Sequence, residues 1–177
     1  SARWLPEPEL LFAGGNRHVD PKTGLTLWGP ASLGSERHRD RVRVGFVGLG
    51  SAIQNVQGML GDAAAGIEGG DTHHPFPGFA DSFRFEIACS DDKLNQVLSV
   101  NDHKDLIATR NGRERFEGAL AILDHKIRML AERDDRPDLV FVVFDPELYQ
   151  RTRSVDYREG GASYHRDMRR ALKSAVM

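Results

Sequence analysis

The stretch VRVGFVGL (residues 42–49) decides the fold. Apolar residues fall on both of its faces, as in a parallel strand covered from both sides. Gly50 and Ser51 then turn the chain, and Ser51 is placed to cap a helix running through Val56, Met59 and Leu60. Two further strands are expected downstream. FRFEIAC (83–89) alternates, and DLVFVVF (138–144) is apolar throughout, the pattern of a buried parallel strand. Residues 66–82 read as a loop, and residues 91–110 hold a short helix. Phe116, Leu120, Leu123, Ile127 and Leu130 step by 4, 3, 4 and 3, which predicts an amphipathic helix over 112–134. A last helix is predicted over 163–176, with Ser163 as its cap and a basic loop before it. This order of elements implies α/β architecture: a Rossmann-like three-layer domain with a central parallel sheet.

The chain of 177 residues is 40% hydrophobic and 28% charged, which suits one domain with an appended arm. Residues 1–40 form that arm. Trp4, Leu5, Leu10, Leu11 and Phe12 are punctuated by Pro6, Pro8, Gly14, Gly15, Pro21, Gly24, Gly29 and Pro30, so short extended pieces are expected. The domain proper is expected over 41–177. The longest apolar runs are strand-length, which argues against a membrane span. No secretory segment opens the sequence, and the lone Cys89 fits a reducing compartment, so a cytoplasmic location is expected.

The net charge of -2 is unevenly spread. Residues 150–177 hold seven Lys and Arg against three Asp and Glu, a local excess of four positive charges. A basic end on an acidic body suggests an anionic ligand. Arg169 and Lys173, four apart, share one helix face, and Arg166 and Arg170 share a neighbouring one. With the free amides of a helix starting at Ser163, Tyr164 and His165, they could form a phosphate site. An ordinary cationic helix surface is the alternative.

Other motifs carry less. VGFVGLGSA (44–52) begins like a dinucleotide fingerprint, but Ile53 stands where the third glycine belongs. A tight strand–helix turn is the better reading, with a nucleotide-cofactor enzyme domain as the alternative function. His73, His74 and His103 lie near aspartates without regular ligand spacing, so surface loops are expected and no metal site. Cys89 reads as a buried small residue. Asp145 follows its strand like a Walker B carboxylate, but no P-loop exists, and it more naturally caps a turn before Pro146.

Several stretches resemble short prokaryotic Argonautes, of the Argonaute/PIWI family. LPEPELLFAGGNRHVDPKTGLTLWGPAS (5–32) is similar to their N-terminal segment. RVRVGFVGLGSAI (41–53), PFPGF (75–79), RPDLVFVVFDPELY (136–149) and HRDMRRALKSAVM (165–177) are similar to successive parts of their MID domain. The resemblance implies a Rossmann-like domain that anchors the 5′-phosphate of a guide RNA or DNA for target recognition in prokaryotic immunity. It implies phosphate-binding roles for Arg169, Lys173, Ser163, Tyr164 and His165, and general attraction by Arg166 and Arg170. Lys173 matches the first lysine of the family motif, and Arg169 stands where relatives carry Tyr or His. The motif's glutamine and second lysine would follow Met177, as would the PIWI domain, so the sequence is expected to be part of a longer protein. No catalytic residue, no enzymatic activity and no resident cofactor are implied here, although a divalent cation can sit at the guide 5′-phosphate in the intact protein. The implied partners are the guide, its complementary target strand and an effector carrying an APAZ region.

Overall fold

A computed structural model describes residues 5, 7–72 and 74–176. Trp4 and Pro6 of the expected arm, His73 and Met177 lie outside the described residues. In chain order, β1 (Leu10–Leu11) and β2 (Arg17–His18) are followed by α1 (Pro21–Trp28). Then come β3 (Arg41–Leu49), α2 (Gly50–Ala65), α3 (Phe79–Phe83), β4 (Glu86–Ala88) and β5 (Asn95–Leu98). The rest is α4 (Val100–Ala108), α5 (Gly112–Ala131), β6 (Leu139–Val143), α6 (Pro146–Thr152), β7 (Ser154–Glu159), β8 (Ala162–Asp167) and α7 (Met168–Val176). Four strands form a central parallel sheet flanked by helices, a Rossmann-like three-layer arrangement, with strand order β4–β3–β5 and β6 also paired to β3.

The chain divides into two compact units. One comprises residues up to Val42 with Gly58–Ala88, the other Arg43–Gln57 with Cys89 onward. The N-terminal segment, expected as an arm over 1–40, groups with residues 58–88 in the first of these units. It is not extended throughout. Asp20 caps α1 by accepting from the N–H groups of Lys22 (3.2 Å) and Thr23 (3.1 Å). Pro21 takes the first helical position, where its missing N–H costs nothing. Reading Pro21 and Gly24 as breakers missed this helix. Gly24 is small because the Phe12 ring occupies the space of a side chain there; an added Cβ would lie 2.1 Å from that ring. The Arg84 guanidinium donates to the Thr26 carbonyl at 3.1 Å, tying α1 to the end of α3. Phe76, Phe79, Phe83 and Phe85 form an aromatic cluster beside it.

In the second unit, β3 pairs in parallel with β5 (Phe46↔Asn95 to Leu49↔Leu98) and with β6 (Val44↔Leu139 to Gly48↔Val143). Strand β5 was not expected within 91–110; its NQVL sequence is too short to show a period against the better-defined α4 that follows. The strand expected at 83–89 is confined to Glu86–Ala88, because Phe83 ends α3 and Arg84 adopts a left-handed conformation (φ 58°). Helix α2 starts at Gly50, so Ser51 lies inside its first turn rather than capping it. Helix α5 buries Phe116, Ala119, Leu123, Ile127 and Leu130. Burying a large apolar side chain contributes about 1.5–3 kcal/mol, so this face dominates the unit's core. Leu120 of the expected stripe is only partly buried.

Three expectations near the C-terminus are corrected. Strand β6 is parallel but not buried: Leu139 is 45% exposed, because among the described residues β6 is paired only with β3. The expected loop over 145–162 holds α6 and β7. The expected helix from Ser163 is strand up to Asp167, antiparallel to β7 around Gly160–Gly161 (Tyr157↔Tyr164, Asp156↔His165). Cross-strand pairing overrides helical propensity here, and α7 begins only at Met168. Asp167 Oδ1 accepts from the Arg170 N–H at 3.1 Å, the capping bond that Ser163 was expected to supply. The Met168 N–H donates to the Arg153 carbonyl at 2.9 Å, closing the base of the hairpin.

Candidate functional site

A cleft of about 1150 Å³ lies along β6 and α7. Val140, Phe141 and Val142 line it consecutively, joined by Phe144. Successive strand residues point to opposite faces, so only an open strand edge presents them together. Met168 and Leu172 complete the apolar floor, and Tyr149, Arg153, Arg169, Arg170 and Lys173 form the rim. Arg153 comes from the end of α6 and the other three cations from α7, so the hairpin closure at Arg153–Met168 brings two basic segments together. Among the described residues, no carboxylate lies within ion-pair distance of Arg169 or Lys173. Tyr149 is half exposed, with its ring edge-on to Phe144 at 6.3 Å.

Of the residues singled out in the sequence, Arg169, Lys173, His165 and Arg170 border this cleft. Ser163 and Tyr164 do not. They lie in β8, on a separate hollow with Tyr157 and Arg158, and no helix N-terminus begins at them. His165 has its Nδ1 2.7 Å from Asp156 Oδ1 across the hairpin. Arg166 is not a helix residue at all: its guanidinium pairs with Glu117 and lies over the Phe116 ring at 5.3 Å. Arg153 and Tyr149 were missed as candidates. The charge excess over 150–177 contained Arg153, but only the fold shows that it meets α7.

The cleft does not fit a divalent cation. Its one bordering carboxylate, Asp167, is engaged in capping α7, and the remaining charged groups on the rim are cations. Among the described residues no group of three His, Cys, Asp or Glu is placed to hold a metal.

The glycine-rich turn has a packing explanation. A Cβ on Gly48 would stand 2.3 Å from the Val143 carbonyl oxygen, so this glycine admits β6. Ile53 is 2% exposed, filling the space that a dinucleotide fingerprint keeps open. His103 is neither a loop residue nor exposed. It sits in α4 with Nε2 2.9 Å from Asp145 Oδ2. Cys89 is a free, half-buried thiol whose carbonyl accepts from the Gln57 side chain at 2.8 Å. No helix among the described residues is long and apolar enough to cross a membrane.

No protein-family model matches the sequence, and no curated protein matches it.

Proposed function

We propose that the cleft between β6 and α7 binds the 5′-phosphorylated end of a single-stranded guide RNA or DNA. The observation that carries this reading is the convergence of Arg153, Arg169, Arg170 and Lys173 on one rim above an apolar floor. Phosphate oxygens would take charge-assisted bonds from the rim, and the terminal base would rest on the floor beside Tyr149. The resemblance to the MID domain of short prokaryotic Argonautes supports the same assignment, with Lys173 in the role of the motif lysine. On that reading the chain anchors a guide for target recognition in prokaryotic immunity. It carries no nuclease activity of its own, and the effector chemistry belongs to an APAZ-containing partner in the cytoplasm.

The test is a titration with matched 5′-phosphate and 5′-hydroxyl oligonucleotides, wild type beside Lys173→Ala. A charge-assisted phosphate contact is worth about 1.5–3 kcal/mol, so Lys173→Ala is expected to weaken the phosphorylated strand roughly ten- to a hundredfold. The hydroxyl strand should lose much less. Equal losses for both would reduce Lys173 to part of a cationic face and end the pocket assignment.

A further inference from the structure

We infer that His103, in α4, is a positioning residue for the cleft: through Asp145 it sets where Phe144, Tyr149 and Arg153 stand. The inference rests on the cleft reading for the ligand, although His103 itself does not line the cleft. Helix α6 has seven residues, too few to keep its shape without anchors. Asp145 Oδ1 accepts both capping bonds, from the N–H groups of Glu147 and Leu148. The cap uses that one oxygen alone. Oδ2 is left to His103, whose Nε2 lies 2.9 Å away. A carboxylate can only accept, so the proton of this bond sits on Nε2. His103 is in turn held by its helix, which Ser99 caps and whose Leu106 shares a buried apolar core with Leu148 of α6.

Asp145 stands where the floor and the rim of the cleft meet. Phe144, immediately before it, belongs to the floor. Tyr149 and Arg153 belong to the rim, and being four apart they share one face of α6 and its helical C-cap. The far end of α6 is tied where the Arg153 carbonyl accepts from the Met168 N–H. Its middle is held by the buried Leu148 and Thr152. Its start depends on the Asp145 carboxylate. Without a donor at position 103, that mostly buried carboxylate has no partner on Oδ2, and it gains by turning to water and giving up the cap. The edge-on contact of Tyr149 with Phe144 and the approach of Arg153 then loosen together. A mostly buried imidazole costs more than an aliphatic side chain unless its bond is used, and Leu106 and Ile107 of the same helix pack in the core as aliphatics. Groups that grip a ligand closely rely on supporting bonds of this kind.

The test uses the full chain with single-stranded DNA and RNA decamers, 5′-phosphorylated or 5′-hydroxyl, and reads the ratio of the two affinities. His103→Leu fills the space but cannot donate. It is expected to weaken the phosphorylated decamer about tenfold, the lower end of what losing a supporting bond costs at a metal site. The hydroxyl decamer should lose about twofold at most, so the ratio falls. His103→Gln, whose amide can take the place of Nε2–H, is expected to restore most of the ratio. In an Arg153→Ala background, His103→Leu should add little, because the group it positions is already gone. A loss of stability alone lowers the competent fraction for both decamers by one factor and leaves the ratio unchanged. If His103→Leu does not fold, the ratio in His103→Ala decides. A wild-type ratio that Lys173→Ala abolishes but His103→Leu leaves intact overturns the positioning role while the cleft reading stands. A wild type without phosphate preference overturns the cleft reading and this role with it. Equal losses in His103→Leu and His103→Gln assign the effect to ring packing and overturn the hydrogen-bond account.

Discussion

His103 Nε2 lies 2.9 Å from Asp145 Oδ2, with both side chains more than four-fifths buried. The other carboxylate oxygen of Asp145 accepts from the N–H groups of Glu147 (3.0 Å) and Leu148 (3.2 Å) at the start of α6. One side chain thus joins α4 to α6, the helix that carries Tyr149 and leads to Arg153.

Asp145→Ala removes a helix cap and strands a part-buried imidazole. A cost of about 1–3 kcal/mol is expected in urea unfolding. Asp145→Asn keeps an acceptor for the cap and should recover part of that loss. If Asp145→Ala unfolds at the wild-type midpoint, the link between α4 and α6 carries no stability.

Gly48→Ala pits a methyl group against the Val143 carbonyl at 2.3 Å. Backbone cannot yield as a flexible side chain does, so β3 and β6 must separate locally. A loss of about 3 kcal/mol or more is expected by denaturant titration. Gly50→Ala meets only Val97 Cγ1, at 3.8 Å, and is expected to be tolerated. Equal effects of the two would refute the packing account of the glycine-rich turn.

Phe116→Ala empties a fully buried site near the N-terminal end of α5 and removes the ring beneath Arg166. The expected destabilisation is about 3–5 kcal/mol. Because Arg166 anchors β8 to α5, amide exchange in residues 162–167 should accelerate along with that of the helix. Unchanged exchange there would show that the hairpin holds its place without α5.

Asp20 has its carboxyl held below the usual range, chiefly by the hydrogen bond from the Thr23 hydroxyl. A depressed folded-state value means that this stabilisation is present above about pH 3.9 and is lost as pH falls through the lower folded value. Acid unfolding of the N-terminal unit should therefore be less steep in Asp20→Asn, which keeps a cap but does not titrate. The check is helix signal against pH for both proteins; superimposable curves would remove Asp20 from the acid transition.

Long-period elements were legible in the sequence. The α5 stripe and the runs at β3 and β6 each carry enough apolar residues to reveal their period and their parallel, crossover-linked arrangement. What stayed hidden depends on distant partners. SYHRD at 163–167 has nothing strand-like about it until β7 lies beside it. Strand β5, at four residues, is too short to show a pattern. Of the cleft, the α7 cations could be read from their spacing, whereas Arg153 and Tyr149 join them only because the chain folds back at Met168. Ser163, Tyr164 and His165 read as a helix N-terminus in the sequence, and a ribbon stands there because β7 supplies the partner strand.

The bond from the Met168 N–H to the Arg153 carbonyl means that the chain departs and returns at one point. The fourteen-residue excursion between them is, in engineering terms, a cassette. Its tip at Gly160–Gly161 is the part of the chain farthest from that bond, so the ribbon can lengthen or shorten there while its base stays closed.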